Sequence, residues 1–168
     1  MSATPTVQNI ELLAQLADIV RHLDDAEYTV QIRLFESSIG AHVRHITDHY
    51  ALFFDGLGES GVNYDRRPFN EDVAHNRQAA SERIESLIQQ LSLLDDSDVN
   101  EVMHITTALS VDGDAVPQTS SLGRELFFLH SHTTHHQSLI GSMLRAIGKQ
   151  APVDLGVAPS TLKRQQRP

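Results

Sequence analysis

The sequence contains no cysteine among its 168 residues. A disulfide scaffold, a thiolate zinc site and a cysteine nucleophile are therefore excluded. Any thiol chemistry of this protein would have to use a thiol that a small molecule brings in.

Positive charge is also scarce, with 13 Lys and Arg residues against 22 Asp and Glu residues and a net charge of −9. A protein that binds nucleic acid ordinarily presents a basic surface to the phosphates, and an anionic membrane surface selects for the same charge. No run of Lys and Arg interleaved with aromatic residues offsets the acidic balance. We therefore predict no nucleic-acid partner and no membrane partner.

Long hydrophobic runs are absent, and no apolar segment approaches the roughly 20 residues that a membrane-spanning helix needs. The first residues, Met1–Gln15, lack a basic start followed by an apolar run, so we predict no signal peptide and a cytoplasmic location. The hydrophobic fraction of 40% is that of an ordinary globular protein. The length suits a single domain over residues 1–168.

Apolar residues recur at spacings of three and four along most of the chain, which is the period of a helix face. The predicted helices cover Val7–His22, Tyr28–Leu57, Asn70–Leu94 and Leu122–Lys149. Alternating residues over Val99–Leu109 and Ala115–Thr119, joined by a Val-Asp-Gly-Asp turn, predict a β-hairpin. The fold class is therefore an all-α four-helix bundle with a short hairpin between helices three and four. The tail, about 151–168, should run extended along the bundle to Leu162 and then fray.

Histidine is concentrated, since seven of the ten histidines lie in two windows of the predicted helices. Residues four apart on a helix stack on one face, about 5–6 Å apart at Cβ. His132 and His136 have this spacing on the last helix, and His45 and His49 have it on the second. If the two helices are neighbours, both pairs can face each other in the bundle interior, where metal sites are commonly built.

Three imidazoles and an open position suit a catalytic divalent metal, and the predicted cofactor is Zn²⁺, Ni²⁺ or Fe²⁺. A carboxylate could orient a ligand histidine by accepting its second N–H. Glu125, two turns before His132 on the same face, is better placed for this role than Asp48. Helical geometry points His130 and His135 away from the ligand face.

Each of these patterns also has a plainer interpretation. A lone histidine on a helix stripe is ordinarily a hydrogen-bonded or half-exposed residue, but two pairs on separate helices favour ligands. The segment Asn63–Arg67 could place a tyrosine and an arginine at the mouth of the site to bind an anionic substrate. Its spacing fits a turn with solvated charges equally well.

Four segments of the chain resemble the DinB-like superfamily in order and spacing. They are SIGAHVRHITDHY from Ser38, NYDRR from Asn63, RELFFLHSHTTHHQSLI from Arg124 and GVAPSTL from Gly156. The resemblance implies a DinB-like four-helix bundle, often a homodimer. It also implies a divalent metal held by one histidine of the second helix and two of the fourth.

The ligands that the resemblance implies are His132 and His136 on the last helix and His45 on the second, with His49 as the alternative to His45. Related groups include transferases and isomerases that use a low-molecular-weight thiol such as mycothiol or bacillithiol.

The histidine pattern and the resemblance lead to two hypotheses on function. The first is a metal-dependent enzyme acting on a small-molecule substrate, as a thiol-dependent transferase or a hydrolase. The second is a non-enzymatic, metal-binding or stress-associated interaction bundle in which the metal is structural.

Overall fold

The computed structural model of the protein describes residues 4–57, 61–66 and 71–165. This part of the chain is mostly helical, with a small three-stranded sheet. Its helices are α1 (Pro5–His22), α2 (Asp25–Thr29), α3 (Ile39–Asp55), α4 (Glu71–His75), α5 (Arg77–Leu93), α6 (Leu122–Ala146) and α7 (Pro159–Gln165). Its strands are β1 (Val62–Asn63), β2 (Val102–Ala108) and β3 (Ala115–Ser121). None of the helices in these ranges has the length and apolarity that crossing a membrane requires.

Helix α1 lies close to its predicted bounds. Thr4 caps it by accepting a backbone N–H of the first turn, and Pro5 occupies the first helical position, where no N–H is needed. The predicted apolar face is buried, with Leu13, Ala17 and Val20 all at most 5% exposed. This face packs against α5 and α6 in the hydrophobic core.

The predicted helix from Tyr28 to Leu57 is wrong, because the chain forms two helices, α2 and α3, with a loop between them. Ser38 caps α3 through its side chain, and Glu36 has a left-handed φ of 49°. A single β-bridge pairs Ile32 with Ser37 inside the loop. The apolar spacing of the loop fits a helix, but α2 ends at Thr29, and a new helix begins only after the left-handed Glu36, where Ser38 caps it.

The predicted third helix is also divided, into α4 and α5. Its predicted cap, Asn70, lies outside the described residues. Asn76 begins α5 instead, because its side chain accepts two backbone N–H groups of the new helix. The side chain of Arg77 pairs with Asp25 at 2.6 Å and donates to the carbonyl of Leu23. Arg77 therefore ties α5 to the end of α1.

The sheet has the order β1-β2-β3. Strands β2 and β3 are antiparallel, with His104 opposite Thr119, and lie between α5 and α6 in the sequence. Strand β1 pairs parallel to β2, with Val62 opposite Ile105. The sequence pattern did not predict β1, because two residues are too few to show a period. Met103 and Ile105 are buried and attach β2 to the hydrophobic core.

The start of α6 is held by the chain that leads into the sheet. The N–H of Leu122 donates to the Glu101 carbonyl at 2.9 Å, and the N–H of Gly123 donates to the Val99 carbonyl at 2.8 Å. Ser121 caps the helix through its side chain. The first N–H groups of a helix have no partner within it, so these contacts both stabilise α6 and fix its position.

The tail packs on α6 and is not extended throughout. Gly156 has a φ of 68°, and a Cβ atom there would lie 2.1 Å from the backbone nitrogen of Ser138, so only glycine fits this contact. The extended course predicted to Leu162 is wrong, since α7 begins at Pro159, a residue that suits the first helical position.

Candidate metal centre

Three histidines from α3 and α6 come together at one point. His132 and His136 stand one turn apart on α6, with ring centroids 4.5 Å apart, and His45 reaches them from α3. The Nε2 atoms of His45 and His132 are 3.0 Å apart. One nitrogen from each of the three rings lies within 4.8 Å of the others, close enough to bind a single metal ion.

His49 lies beside this group, with its ring centroid 3.9 Å from that of His132. Its Nδ1 is 2.9 Å from the carbonyl oxygen of His45, one turn earlier on the same helix. The ring of His49 also stacks on the ring of Tyr64, with the two centroids 5.7 Å apart. Among the described residues, the compact ligand group consists of His45, His132 and His136, and His49 forms one of its walls.

His42 also belongs to the cluster, although the sequence analysis did not assign it a role. Its Nδ1 lies 2.9 Å from the Nδ1 of His136, across 94 positions of sequence. A ligand histidine usually uses its second nitrogen to hydrogen bond to a neighbour, which fixes the ring. The signal was present in the sequence, since His42 lies one turn before His45 on the same helix.

The electrostatics favour the neutral form of three of these rings, those of His132, His136 and His42. Burial, with smaller contributions from His49 and the other nearby histidines, lowers the pKa of His132 to about 2. Burial and the neighbouring His42 lower the pKa of His136 to about 4. Burial lowers the pKa of His42 as well. Neutral imidazole is the form that binds metals, so the lone pairs are available at neutral pH.

The hydrogen bonding of the cluster is incomplete within the described residues. The Nδ1 atom of His132 is buried and has no hydrogen-bond partner there. The facing Nε2 atoms of His45 and His132 can share only one proton, whereas two lone pairs at 3.0 Å can both reach an ion at the usual 2.0–2.1 Å nitrogen–zinc distance. An all-imidazole donor set of this kind fits a divalent transition metal.

Two cavities border the cluster. One, of about 220 Å³, is lined by Ser37, Arg44 and three histidines that include His45 and His136. The other, of about 450 Å³, lies between the sheet and the start of α6, and His49 forms part of its wall. A small molecule therefore has room on either side of the histidines.

Of the two predicted carboxylate partners, Glu125 makes its hydrogen bonds at the wall of the larger cavity. Glu125 is buried, but the hydrogen bonds to its oxygens come from the hydroxyls of Tyr64, at 2.8 Å, and Ser120, at 2.5 Å. Asp48 is buried beside Arg44, whose Nε lies 4.0 Å from its Oδ2. In the described part of the chain, Glu125 therefore hydrogen bonds to Tyr64 and Ser120, where the prediction had a ligand histidine.

The remaining predicted residues separate into two groups. His135 is exposed and His130 lines a different cavity near the start of α1, as helical geometry predicted. Tyr64 lines the larger cavity, whereas Arg66 is exposed in a turn and Arg67 lies outside the described residues.

Comparison with known proteins relates the whole arrangement to a family. The chain is similar to FK506-binding protein 5 of Rhizopus delemar, with 32% identity over 105 residues that cover 61% of this chain and 27% of that protein. The chain thus corresponds to about a quarter of that relative. No solved structure matches the chain. The family model described as the DinB family matches residues 11–165, which run from within α1 to the end of α7. The histidine cluster thus lies inside the matched region, and the chain belongs to the DinB family.

Proposed function

We propose that this protein is a divalent-metal-dependent enzyme acting on a small molecule, with His45, His132 and His136 as the protein ligands. The observation that carries the proposal is the convergence of three imidazole nitrogens from α3 and α6 within 4.8 Å of one another. The metal is Zn²⁺, Ni²⁺ or Fe²⁺, because imidazole binds all three. The four long helices fit the bundle that the resemblance implies.

A bound metal would supply Lewis acidity and lower the pKa of a coordinated water or thiol. The protein's own part is to hold three neutral donors and to leave space beside them, which the cavity of about 220 Å³ provides. With no cysteine in the chain, a thiol-dependent transferase would take its thiol from a small molecule. A hydrolase would need only water.

The alternative is a metal-binding interaction bundle without enzymatic activity. The match to FK506-binding protein 5 favours it, because the matched region is 27% of that protein and so has the proportions of one module in a longer chain. In this case the metal would be structural, closed to exchange and needed for folding.

Metal analysis of protein purified without an affinity tag tests the centre. We expect close to one equivalent of metal in the wild type and less than a tenth in a His132→Ala/His136→Ala variant. The matched control is His130→Ala/His135→Ala, which removes two histidines of the same helix that are outside the ligand group and should retain the metal. Less than a tenth of an equivalent in the wild type, unchanged in both variants, would refute the proposal.

Substitution with Co²⁺ separates the enzyme from the structural alternative. An open coordination position predicts that the visible spectrum of the Co²⁺ protein changes when 2-mercaptoethanol is added. A closed structural site predicts no change, together with a large loss of thermal stability when the metal is removed by a chelator.

The resemblance also implies a homodimer, and we include the dimer in the proposal. Sedimentation or light scattering should give about twice the chain mass of 18.6 kDa. A monomer over the micromolar range would contradict it.

A further inference from the structure

The larger cavity beside the histidines has a composition of its own. It holds about 450 Å³ between the sheet and the start of α6. Ile105 and Phe128 provide apolar walls, and Tyr64 and Glu125 lie among the other lining residues. The rings of Tyr64 and Phe128 are 5.0 Å apart. The proposed metal ligands are not among the lining residues, so the cavity is a separate feature of the molecule.

Glu125 is the unusual member of this cavity, because a carboxylate that is only 6% exposed is rare. Its two oxygens accept hydrogen bonds from two hydroxyls, those of Tyr64 and Ser120. The oxygens of an ionised carboxylate accept hydrogen bonds but cannot donate them, so two hydroxyl donors are matched partners for it. The pKa of Tyr64 is raised by burial and by Glu125, so the phenol stays a neutral donor.

The charge of Glu125 has no ionic partner within the described ranges, since none of the ion pairs there includes it. Arg124, its neighbour in sequence, is exposed at the cavity wall. Two neutral hydrogen bonds offset only part of the cost of burying a carboxylate, and buried charges are generally paired. Each carboxylate oxygen can accept a further hydrogen bond, so Glu125 can still bind a cationic donor.

The cavity suits an organic cation better than a metal ion. A metal would need several ligands, and the group of residues that could hold one within the described chain does not contain Glu125. A protonated amine needs one carboxylate, and its cationic end is attracted to the faces of aromatic rings such as those of Tyr64 and Phe128. The apolar wall at Ile105 would accommodate the body of such a molecule.

We propose that this cavity binds a small molecule that carries a protonated amine on an apolar body, with Glu125 as the counter-ion and Tyr64 and Phe128 as the aromatic walls. The site does not depend on the metal: Glu125 lies two turns before His132 on α6 and is outside the histidine group. His49 is shared, since it lines this cavity and also contacts the ring of His132. A bound amine would therefore lie next to the histidine cluster.

Binding of three probes with the same aromatic body tests the charge preference. The probes are 2-phenylethylamine, which is cationic, 2-phenylethanol, which is its neutral counterpart, and 3-phenylpropanoate, which is anionic. Titration calorimetry on the protein as purified should give at least tenfold tighter binding of the amine than of the alcohol, and the weakest binding for the carboxylate. Equal affinities, or a preference for the alcohol or the carboxylate, would overturn the proposal.

Glu125→Gln removes the charge and keeps the size of the side chain, and should bring the amine and the alcohol within about twofold of each other. Ser120→Ala is the matched control, because it removes one hydrogen bond to Glu125 and leaves the charge, so the amine preference should remain. If Glu125→Gln does not fold, amine-induced NMR shifts at Tyr64 and Phe128 in the wild type decide the matter. Shifts located elsewhere would overturn the site. The metal content of the variants is a separate measurement, so failure here is distinguishable from failure of the metal centre.

Discussion

Two polar clusters lie side by side between α3 and α6, and their hydrogen bonding differs. In the first, Tyr50 donates to the side-chain oxygen of Asn9 at 2.6 Å and accepts from Thr133 at 3.2 Å. Asn9 in turn donates to two backbone carbonyls, those of Pro5 and Leu126. The second cluster is the group of histidines, which begins one residue away on each helix, at His49 and His132.

The two clusters differ in how donors and acceptors are combined. The Tyr50 network alternates donors with acceptors, so each buried group has a partner within the protein, and its effect is to join three helices. The histidine cluster places ring nitrogens against ring nitrogens, and the Nδ1 of His132 has no partner in the described chain. Like groups that converge in this way satisfy one another poorly, but they can satisfy a cation together. The first cluster is suited to stability and the second to ligand binding.

The sharpest test of this comparison is to substitute two adjacent residues of α6 one at a time, one from each cluster. His132→Ala should weaken Zn²⁺ binding by more than about 100-fold, which exceeds the effect of losing an outer partner. Thr133→Val, one residue later, should change the affinity by less than about threefold because it acts on the other cluster. Competition with a chromophoric chelator measures both. Similar losses in the two variants would show that the clusters are not separate.

The reverse test substitutes Tyr50, which follows His49 on α3 and belongs to the first cluster. Tyr50→Phe leaves the buried side-chain oxygen of Asn9 without its donor, and the free energy of unfolding should fall by about 1–3 kcal/mol. Zn²⁺ affinity should stay unchanged, since the hydroxyl is not part of the histidine group. Urea denaturation of the metal-free protein measures the first effect. No loss of stability would mean that Asn9 finds another donor.

A smaller effect is expected when the outer histidine is removed. His42→Leu takes away the nitrogen that faces His136 and should weaken Zn²⁺ binding by about tenfold, because the ligand ring is less well oriented. His135→Leu is the control, since the ring of His135 also contacts His136, at 5.1 Å, without a hydrogen bond between the two rings. Equal effects of the two variants would point to ring packing and not to the nitrogen contact.

The smallest effect is a pH dependence of the metal-free protein. The pKa values of His132 and His136 are lowered to about 2 and about 4, so below the unfolded value near 6.5 the unfolded chain binds protons that the folded chain does not. Stability is therefore unaffected above pH 6.5 and declines as the pH falls from 6.5 towards 4.

The comparison for this prediction is a His132→Gln/His136→Gln variant, which lacks both titrating rings. Solvent reaches both rings, so between pH 7 and pH 5 the wild type should lose only about 2–4 °C more in thermal midpoint than the variant. If the thermal midpoints of the wild type and the variant change equally with pH over this range, the two pKa values are not lowered in the folded protein.

The sequence determined the features that depend on neighbouring residues along a helix. Periodicity predicted α1, α5 and α6, and the spacing of His132 and His136 placed them on one face, because residues four apart are neighbours in any helix. It also separated His130 and His135 from that face. The same reasoning was wrong between Tyr28 and Ser38, where apolar spacing fits a helix but capping and a left-handed residue break it.

Only the tertiary structure decided the contacts that join distant segments. The approach of His45 to His132, the contact of His42 with His136 and the bonds from Tyr64 and Ser120 to Glu125 depend on how α3, α6 and the sheet pack and on the rotamer of each side chain. A helical period states which face a residue occupies, but it contains no information on which helix lies opposite or at what height. For this reason the sequence identified the histidines as candidate ligands, and the packing of α3 on α6 selected His45, His132 and His136 as the group that converges.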